Sequence, residues 1–270
     1  MKKLICVCLA AVALASCGSS PAADDPNNTV NTLLKGADTQ NSMVGIYYFD
    51  GEKTEFFHIS SEKDGDKLID AITGIPCEQT EEYPSRAPAW GISVQGKDEK
   101  SIDALWAEGI WCTGDGKRYK IDLDFTALTK DLQKTETNPC PASSLPAVRY
   151  LAEQEGKWNK AFMSRAQLPE SKGITAEITE QSGTELTVTY KNTSDEDSFL
   201  GYHYSLAVEL EGEWYGVPTL PGRELYFIEL ALELPAGGEE TIKHDIASFG
   251  TLPEGKYMLI SNGCSAEFEK

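Results

Sequence analysis

The 270-residue sequence predicts two folded units: an α+β domain over 43–166, made of an antiparallel meander with packed helices, and an all-β sandwich over 174–270. Three observations carry this expectation. In the first unit, strand-like runs joined by Asp-Gly and Glu-Gly pairs alternate with helix-like stretches, the mixed order of an α+β fold. From Ile174 onward only short strands and turn signals remain. Among them Leu200, Tyr202, Tyr204, Leu206, Val208 and Leu210 fall on every second position, the period of a strand with one buried face.

The elements of the first unit follow in order. Stretches 44–50 and 54–60 are β-rich and flank Asp50-Gly51, a hairpin signal. Leu68, Ile69 and Ile72 stand at helical spacing in 63–73, and Gly74 follows as a stop. Residues 76–88 form a proline-spotted loop that holds Cys77. Strands are predicted at 91–95, 101–107, 110–113 and 117–123, turning at Glu108-Gly109 and Asp115-Gly116. A two-residue turn at Asp115-Gly116 sets Cys112 opposite Tyr119 and Trp111 opposite Lys120. Leu105, Cys112, Tyr119, Ile121 and Leu123 then share one face, and Trp106, Trp111, Arg118 and Lys120 the other. Asp124 caps a helix over 125–132. A polar connector with Cys140 leads to a longer helix over 145–166, whose apolar side is Val148, Leu151, Ala152, Trp158 and Phe162. Gly156 weakens the middle of that helix by about 1 kcal/mol.

In the second unit, strands are predicted at 174–180, 185–191, 200–210, 213–217, 225–232, 239–245, 256–261 and 265–269. So many short strands in so little chain argue for a sandwich of immunoglobulin-like type. Tyr204-Ser205-Leu206, Glu213-Trp214-Tyr215-Gly216-Val217-Pro218 and Leu252-Pro253-Glu254-Gly255-Lys256-Tyr257 sharpen this. Over 174–262 the segment is similar to bacterial Ig-like domains of Gram-positive cell-surface proteins. The resemblance implies a sandwich and a surface context, and no catalytic motif. Residues 109–122 faintly resemble uncharacterised extracellular segments, which imply no activity.

The N-terminus bears on location. Lys2 and Lys3 precede an apolar run, 4–14, that ends in Leu14-Ala15-Ser16-Cys17. This resembles a bacterial lipoprotein signal peptide with its lipobox. The rival, a transmembrane anchor, needs roughly 20 apolar residues, whereas 4–15 supplies 12. The resemblance implies that 1–16 is removed and Cys17 is acylated. Residues 17–42 would tether a body held at the cell membrane on its extracytoplasmic face. With 43 acidic against 24 basic residues and a net charge of −19, no basic cluster is available for phosphate. The partners expected from the sequence are therefore the membrane through the N-terminal lipid and a surface protein or carbohydrate, with no nucleic acid.

Four cysteines remain past the lipobox: Cys77, Cys112, Cys140 and Cys264. In an oxidising compartment an even count suggests disulfides. Cys77–Cys112 and Cys77–Cys140 are favoured over a bond to Cys264, with four buried thiols as the alternative. The spacings fit no zinc pattern, and neither metal nor cofactor is expected. His58, His203 and His244 belong to no metal-binding or hydrolase motif and read as surface or half-buried structural residues. No nucleophile motif is present. Asp122 and Asp124 share a strand face and could act as an acid/base pair, but a solvated face with a helix cap is favoured. Asp195-Glu196-Asp197 reads as a solvated turn in preference to a calcium loop. Trp106, Trp111 and Lys120 form the candidate ligand or partner face if exposed. If covered, which is favoured, they mark where a helix packs. The sequence therefore predicts a lipid-anchored extracytoplasmic protein, not an enzyme, with a binding or structural role. Its rival is a carboxylate-dependent hydrolase of glycan or cell-wall material.

Overall fold

The computed structural model describes residues 44–59, 62–95, 101–132, 134–170, 173–223 and 225–270. The lipobox, Cys17 and the tether lie outside the described residues. The chain is mostly β with a few short helices.

The first half is one eight-stranded antiparallel sheet. Its strands are β1 (Val44–Phe49), β2 (Thr54–Ile59), β3 (Cys77–Gln79), β4 (Ala89–Gln95), β5 (Ser101–Ala107), β6 (Ile110–Thr113), β7 (Arg118–Ile121) and β8 (Lys134–Cys140). Their spatial order is β3-β7-β6-β5-β4-β1-β2-β8. The predicted hairpin at Asp50-Gly51 forms because the Asp50 carboxylate accepts the Glu52 and Lys53 amides at 2.8 and 2.7 Å. Those two bonds, Lys53 first, lower the Asp50 pKa. Glu108 and Gly109 both have positive φ, 48° and 79°, and close a two-residue turn between Ala107 and Ile110.

The turn at Asp115-Gly116 is longer than predicted. The Thr113 amide donates to the Lys117 carbonyl at 2.9 Å, so Cys112 faces Arg118, Trp111 faces Tyr119 and Ile110 faces Lys120. This one-residue slip moves Tyr119 and Ile121 to the tryptophan face and Lys120 away from it.

One face of the sheet is covered by α1 (Glu62–Ile72), through Leu68, Ile69 and Ile72, and by the short α2 (Phe125–Thr129). Asp124 caps α2 as expected, its carboxylate accepting the Ala127 amide at 2.9 Å. The predicted long helix over 145–166 does not form. Glu155 and Gly156 take positive φ, 52° and 74°, and turn the chain between β9 (Glu153–Gln154) and β10 (Lys157–Trp158). What remains of it is α3 (Arg149–Ala152) and a 3-10 turn at Lys160–Phe162.

The second half is a sandwich. One sheet is β11 (Ile174–Ser182), β12 (Glu185–Asn192) and β17 (Glu239–Asp245). The other runs β15 (Glu213–Gly216), β14 (Tyr204–Leu210), β18 (Lys256–Ser261), β19 (Cys264–Glu269). A small ribbon pairs β13 (Ser198–Leu200) with β16 (Leu232–Leu234). The predicted strand 200–210 is thus broken between Leu200 and Tyr204, and of the predicted strand 225–232 only Leu232 lies in a ladder.

The two halves share one apolar core. Phe49, Leu105, Leu151 and Phe162 of the first half lie in the same buried cluster as Leu206, Val208, Tyr257 and Leu259 of the sandwich. The connecting chain also docks on the edge of β15, where the Ala166 amide donates to the Trp214 carbonyl at 2.8 Å and the Gly216 amide to the Ser164 carbonyl at 3.0 Å.

Candidate functional site: the cleft between the halves

The second sheet face is overlaid by residues 141–148 rather than by a helix. Pro146 presses on β4, and a Cβ on Gly91 would stand 2.7 Å from Pro146 Cδ, which is why glycine occupies that position. Beside this overlay runs a cleft of about 1190 Å³. Thr54, Cys140 and Arg165 line it from the first half and connecting chain, and Leu206, Tyr215 and Val217 from the sandwich. A second hollow of about 480 Å³, with Tyr47, Asp103 and Phe249 in its walls, shares Ser143, Ser205 and Val217 with the first.

Ion pairs flank the cleft, and a buried cation lies at the junction of the two halves. Lys160 pairs with Glu211, and Arg165 with Glu213 at 3.2 Å. Arg149, 2% exposed, donates from Nη2 to Glu153 Oε2 at 2.8 Å and across the junction to the Thr251 carbonyl at 2.9 Å. Its guanidinium lies 4.4 Å above the Trp158 ring. The Trp158 indole donates to the Tyr257 hydroxyl at 2.7 Å, which donates to the Pro253 carbonyl at 2.6 Å. The junction is therefore a polar relay set in an apolar core, in which Arg149 is bonded through Nη2 while its Nε and Nη1 are buried without a partner.

Burial acts on one ionisable side chain of each hollow, Cys140 in the cleft and Tyr47 in the second. Burial raises the Cys140 thiol. Burial also raises the Tyr47 phenol, helped by the charge of Asp103 and by Cys140. A protonated thiol and phenol are poor nucleophiles and poor bases.

The sequence-predicted residues fall elsewhere. Trp106 and Trp111 are cross-strand partners in a row that runs Trp90, Trp106, Trp111, Tyr119. Phe125 of α2 covers that row, with ring centroids 5.5, 6.2 and 6.5 Å from Trp90, Trp106 and Trp111. Trp111 is 1% exposed, so the open-platform reading is corrected. Lys120 sits on the opposite face and pairs with Glu82 at 2.5 Å.

All four described cysteines are free, which corrects the disulfide expectation. Cys77 and Cys140 stand on β3 and β8, the two edges of the sheet, seven strand spacings or about 34 Å apart. Cys112 and Cys140 are five spacings or about 24 Å apart. Cys77 and Cys112 belong to clusters on opposite faces. A disulfide needs Cα atoms within about 7 Å. Burial holds the Cys112 thiol at about 12 and the Cys264 thiol at about 11.

His58 and His203 are exposed, but His244 is 2% exposed, contrary to the surface or half-buried expectation. Its Nε2 is 2.8 Å from the Tyr190 hydroxyl, and burial lowers its pKa to about 4. Asp122 and Asp124 are exposed, and Asp124 is engaged as the α2 cap. Asp197 accepts the Ala236 amide at 2.9 Å and serves its turn. Among the described residues no cluster of His, Cys, Asp and Glu could hold a metal ion. The cleft itself was not legible in the sequence, because its walls lie far apart along the chain.

Residues 172–269 match the family model described as a bacterial Ig-like domain. The sandwich therefore carries that domain at the C-terminal position the strand pattern predicted. No curated protein matches the chain. A solved structure it resembles is Pseudomonas fluorescens alkylpurine DNA glycosylase AlkC bound to DNA containing an abasic site analog, at 18% identity and a TM-score of 0.21. That match covers 37% of this chain and 31% of the other, so the chain spans about a third of its length. The partner set expected from the sequence is corrected here. The comparisons give that set, membrane, surface protein or carbohydrate without nucleic acid, no support: the matched protein is described as bound to DNA. At so low a TM-score the likeness supplies no partner in their place.

Proposed function

We propose that the chain is a lipid-anchored protein of the extracytoplasmic face whose role is binding or structural and not catalytic, exercised through the cleft between the sheet and the Ig-like domain. The observation that carries the binding role is the cleft. Both halves wall it over a common core, and burial raises its Cys140 thiol and so keeps that side chain protonated and unreactive. The location rests on Lys2-Lys3, the apolar run and Leu14-Ala15-Ser16-Cys17, together with the Ig-like match.

Two measurements test the two parts. Metabolic labelling with a clickable fatty acid should mark the wild-type chain and not Cys17→Ala, and equal labelling of both removes the anchor. For the cleft, a thermal-shift screen of small molecules is repeated on Ser205→Trp, since Ser205 is exposed and lines both hollows. Every hit should be lost or weakened at least tenfold. Hits unchanged by Ser205→Trp, or turned over by the protein on mass spectrometry, overturn the reading.

A further inference from the structure

The buried floor of the cleft carries one polar group without a partner. Among the described residues, the buried side chains that line the cleft are Thr54, Met163, Leu206 and Val217. Three of them are apolar. Thr54 is 3% exposed, and its Oγ1 has no hydrogen-bond partner. Thr54 stands across from Phe49 on one side and from Cys140 on the other. Cross-strand partners present their side chains on one face, so the hydroxyl lies on the same face as Cys140, which also lines the cleft. The charged lining residues are Glu52, Lys53, Glu55, Lys160 and Arg165, and all five are exposed. The site is thus neutral at its floor and charged, with both signs, at its rim.

A buried hydroxyl left without a partner costs folding free energy. Buried polar groups are as a rule bonded, and a ligand can supply the missing bond. A charged group set beside Thr54 would lose its water with no counter-charge on the floor. A wholly apolar group would leave the hydroxyl as it is. An uncharged group that donates or accepts a hydrogen bond incurs neither penalty. We propose, on the reading of the cleft as a binding site, that it takes a small, largely apolar molecule whose inner end is an uncharged hydrogen-bonding group, such as a carboxamide. That group bonds Thr54 Oγ1, and the apolar body lies on Met163, Leu206 and Val217. Thr54 is then the residue that sets specificity, by admitting a neutral polar end and refusing a charged one.

Thermal-shift titration of the full chain with hexanamide, hexanoate and hexylamine tests it, since the three probes share a chain length and differ in charge. Hexanamide should raise the melting temperature of the wild type at about millimolar concentration, and the two charged probes should bind at least tenfold more weakly. Thr54→Val nearly keeps the shape and deletes the hydroxyl. It should bind hexanamide at least tenfold more weakly, yet melt no lower than the wild type without a probe, because a buried unpartnered group is gone. Thr54→Ser keeps the hydroxyl and should bind hexanamide within threefold of the wild type. No shift with hexanamide, equal binding of the charged probes, unchanged hexanamide binding in Thr54→Val, or a Thr54→Val protein that melts well below the wild type overturns the proposal. Screen hits lost in Ser205→Trp but unmoved in Thr54→Val overturn the role of Thr54 alone, whereas hits unmoved in Ser205→Trp overturn the cleft as a binding site.

Discussion

Removing the Arg149 guanidinium should loosen both halves at once. Its two charge-assisted bonds, to Glu153 and to the Thr251 carbonyl, are worth about 1.5–3 kcal/mol each, and its stacking on Trp158 about 1–2 kcal/mol. Against this stand Nε and Nη1, both buried without a partner at about 1–3 kcal/mol each, and the cost of desolvating a cation. Burial lowers the Arg149 pKa, opposed by Glu153 and Tyr257, which is the same balance seen in titration. The residue stays charged, since arginine starts above 12. The two sides nearly cancel, leaving about 1–2 kcal/mol in favour of the wild type, to which truncation of the stem adds a cavity cost of similar size. Arg149→Ala should therefore cost about 3 kcal/mol. Arg149→Met, which keeps the stem and deletes the orphaned donors, should cost about 1 kcal/mol or less. Urea unfolding followed by tryptophan fluorescence and by far-UV circular dichroism reads both values. The Trp90, Trp106 and Trp111 row reports the sheet and Trp214 the sandwich, and the shared core demands coincident transitions. Two separated transitions in the wild type, or Met as damaging as Ala, would refute the reasoning.

Other consequences follow from the same geometry. His244 is neutral in the fold with a pKa near 4, while the unfolded chain binds its proton below about 6.5. Stability is therefore full above about pH 6.5 and falls as pH drops toward 4, by about 3 kcal/mol in total; denaturation curves of His244→Phe against wild type across that window should show this loss only in the wild type. Iodoacetamide should label Cys140 in the native protein well before Cys112 or Cys264, whose thiols burial holds at about 12 and 11, with peptide mass spectrometry as the readout. Trp111→Ala, at 1% exposure, should cost about 3–5 kcal/mol in urea titration, and a cost under 1 kcal/mol would mean the row is not a core. Gly91→Ala should force Pro146 off the sheet and cost about 1–3 kcal/mol.

What the sequence revealed depended on where each strand sits. A strand with one buried face, such as β12, shows the two-residue period because alternate side chains enter the core. The two strands of the eight-stranded sheet that sequence reasoning missed, β3 and β8, are its two edges. The pattern is weak in β3, and β8 carries Pro139, which an edge tolerates because one side of it donates no ladder bonds. The missing long helix is the reverse case. Val148, Leu151 and Ala152 do follow helical spacing and are buried, but Glu155-Gly156 adopts the positive φ of a hairpin turn. Local turn chemistry overrode a pattern that only tertiary burial could have sustained. The segment 225–231 failed differently: its alternation is real, but the apolar side faces outward, and burial direction is not written in periodicity.

The tryptophan row shows how little sequence error separates a binding face from a core. With a two-residue turn at Asp115-Gly116, Lys120 stands beside Trp111, and a cation flanking two indoles reads as an exposed platform. One further residue in that turn, marked by the Thr113–Lys117 backbone bond, replaces Lys120 by Tyr119. The row then becomes uniformly aromatic, and such a surface must be covered. Phe125 covers it because Asp124, immediately before, caps the one turn of helix that brings the ring down. Register in the last hairpin thus decides which surfaces remain for recognition. Once the tryptophan face is closed by α2, the cleft over the opposite face remains open among the described residues.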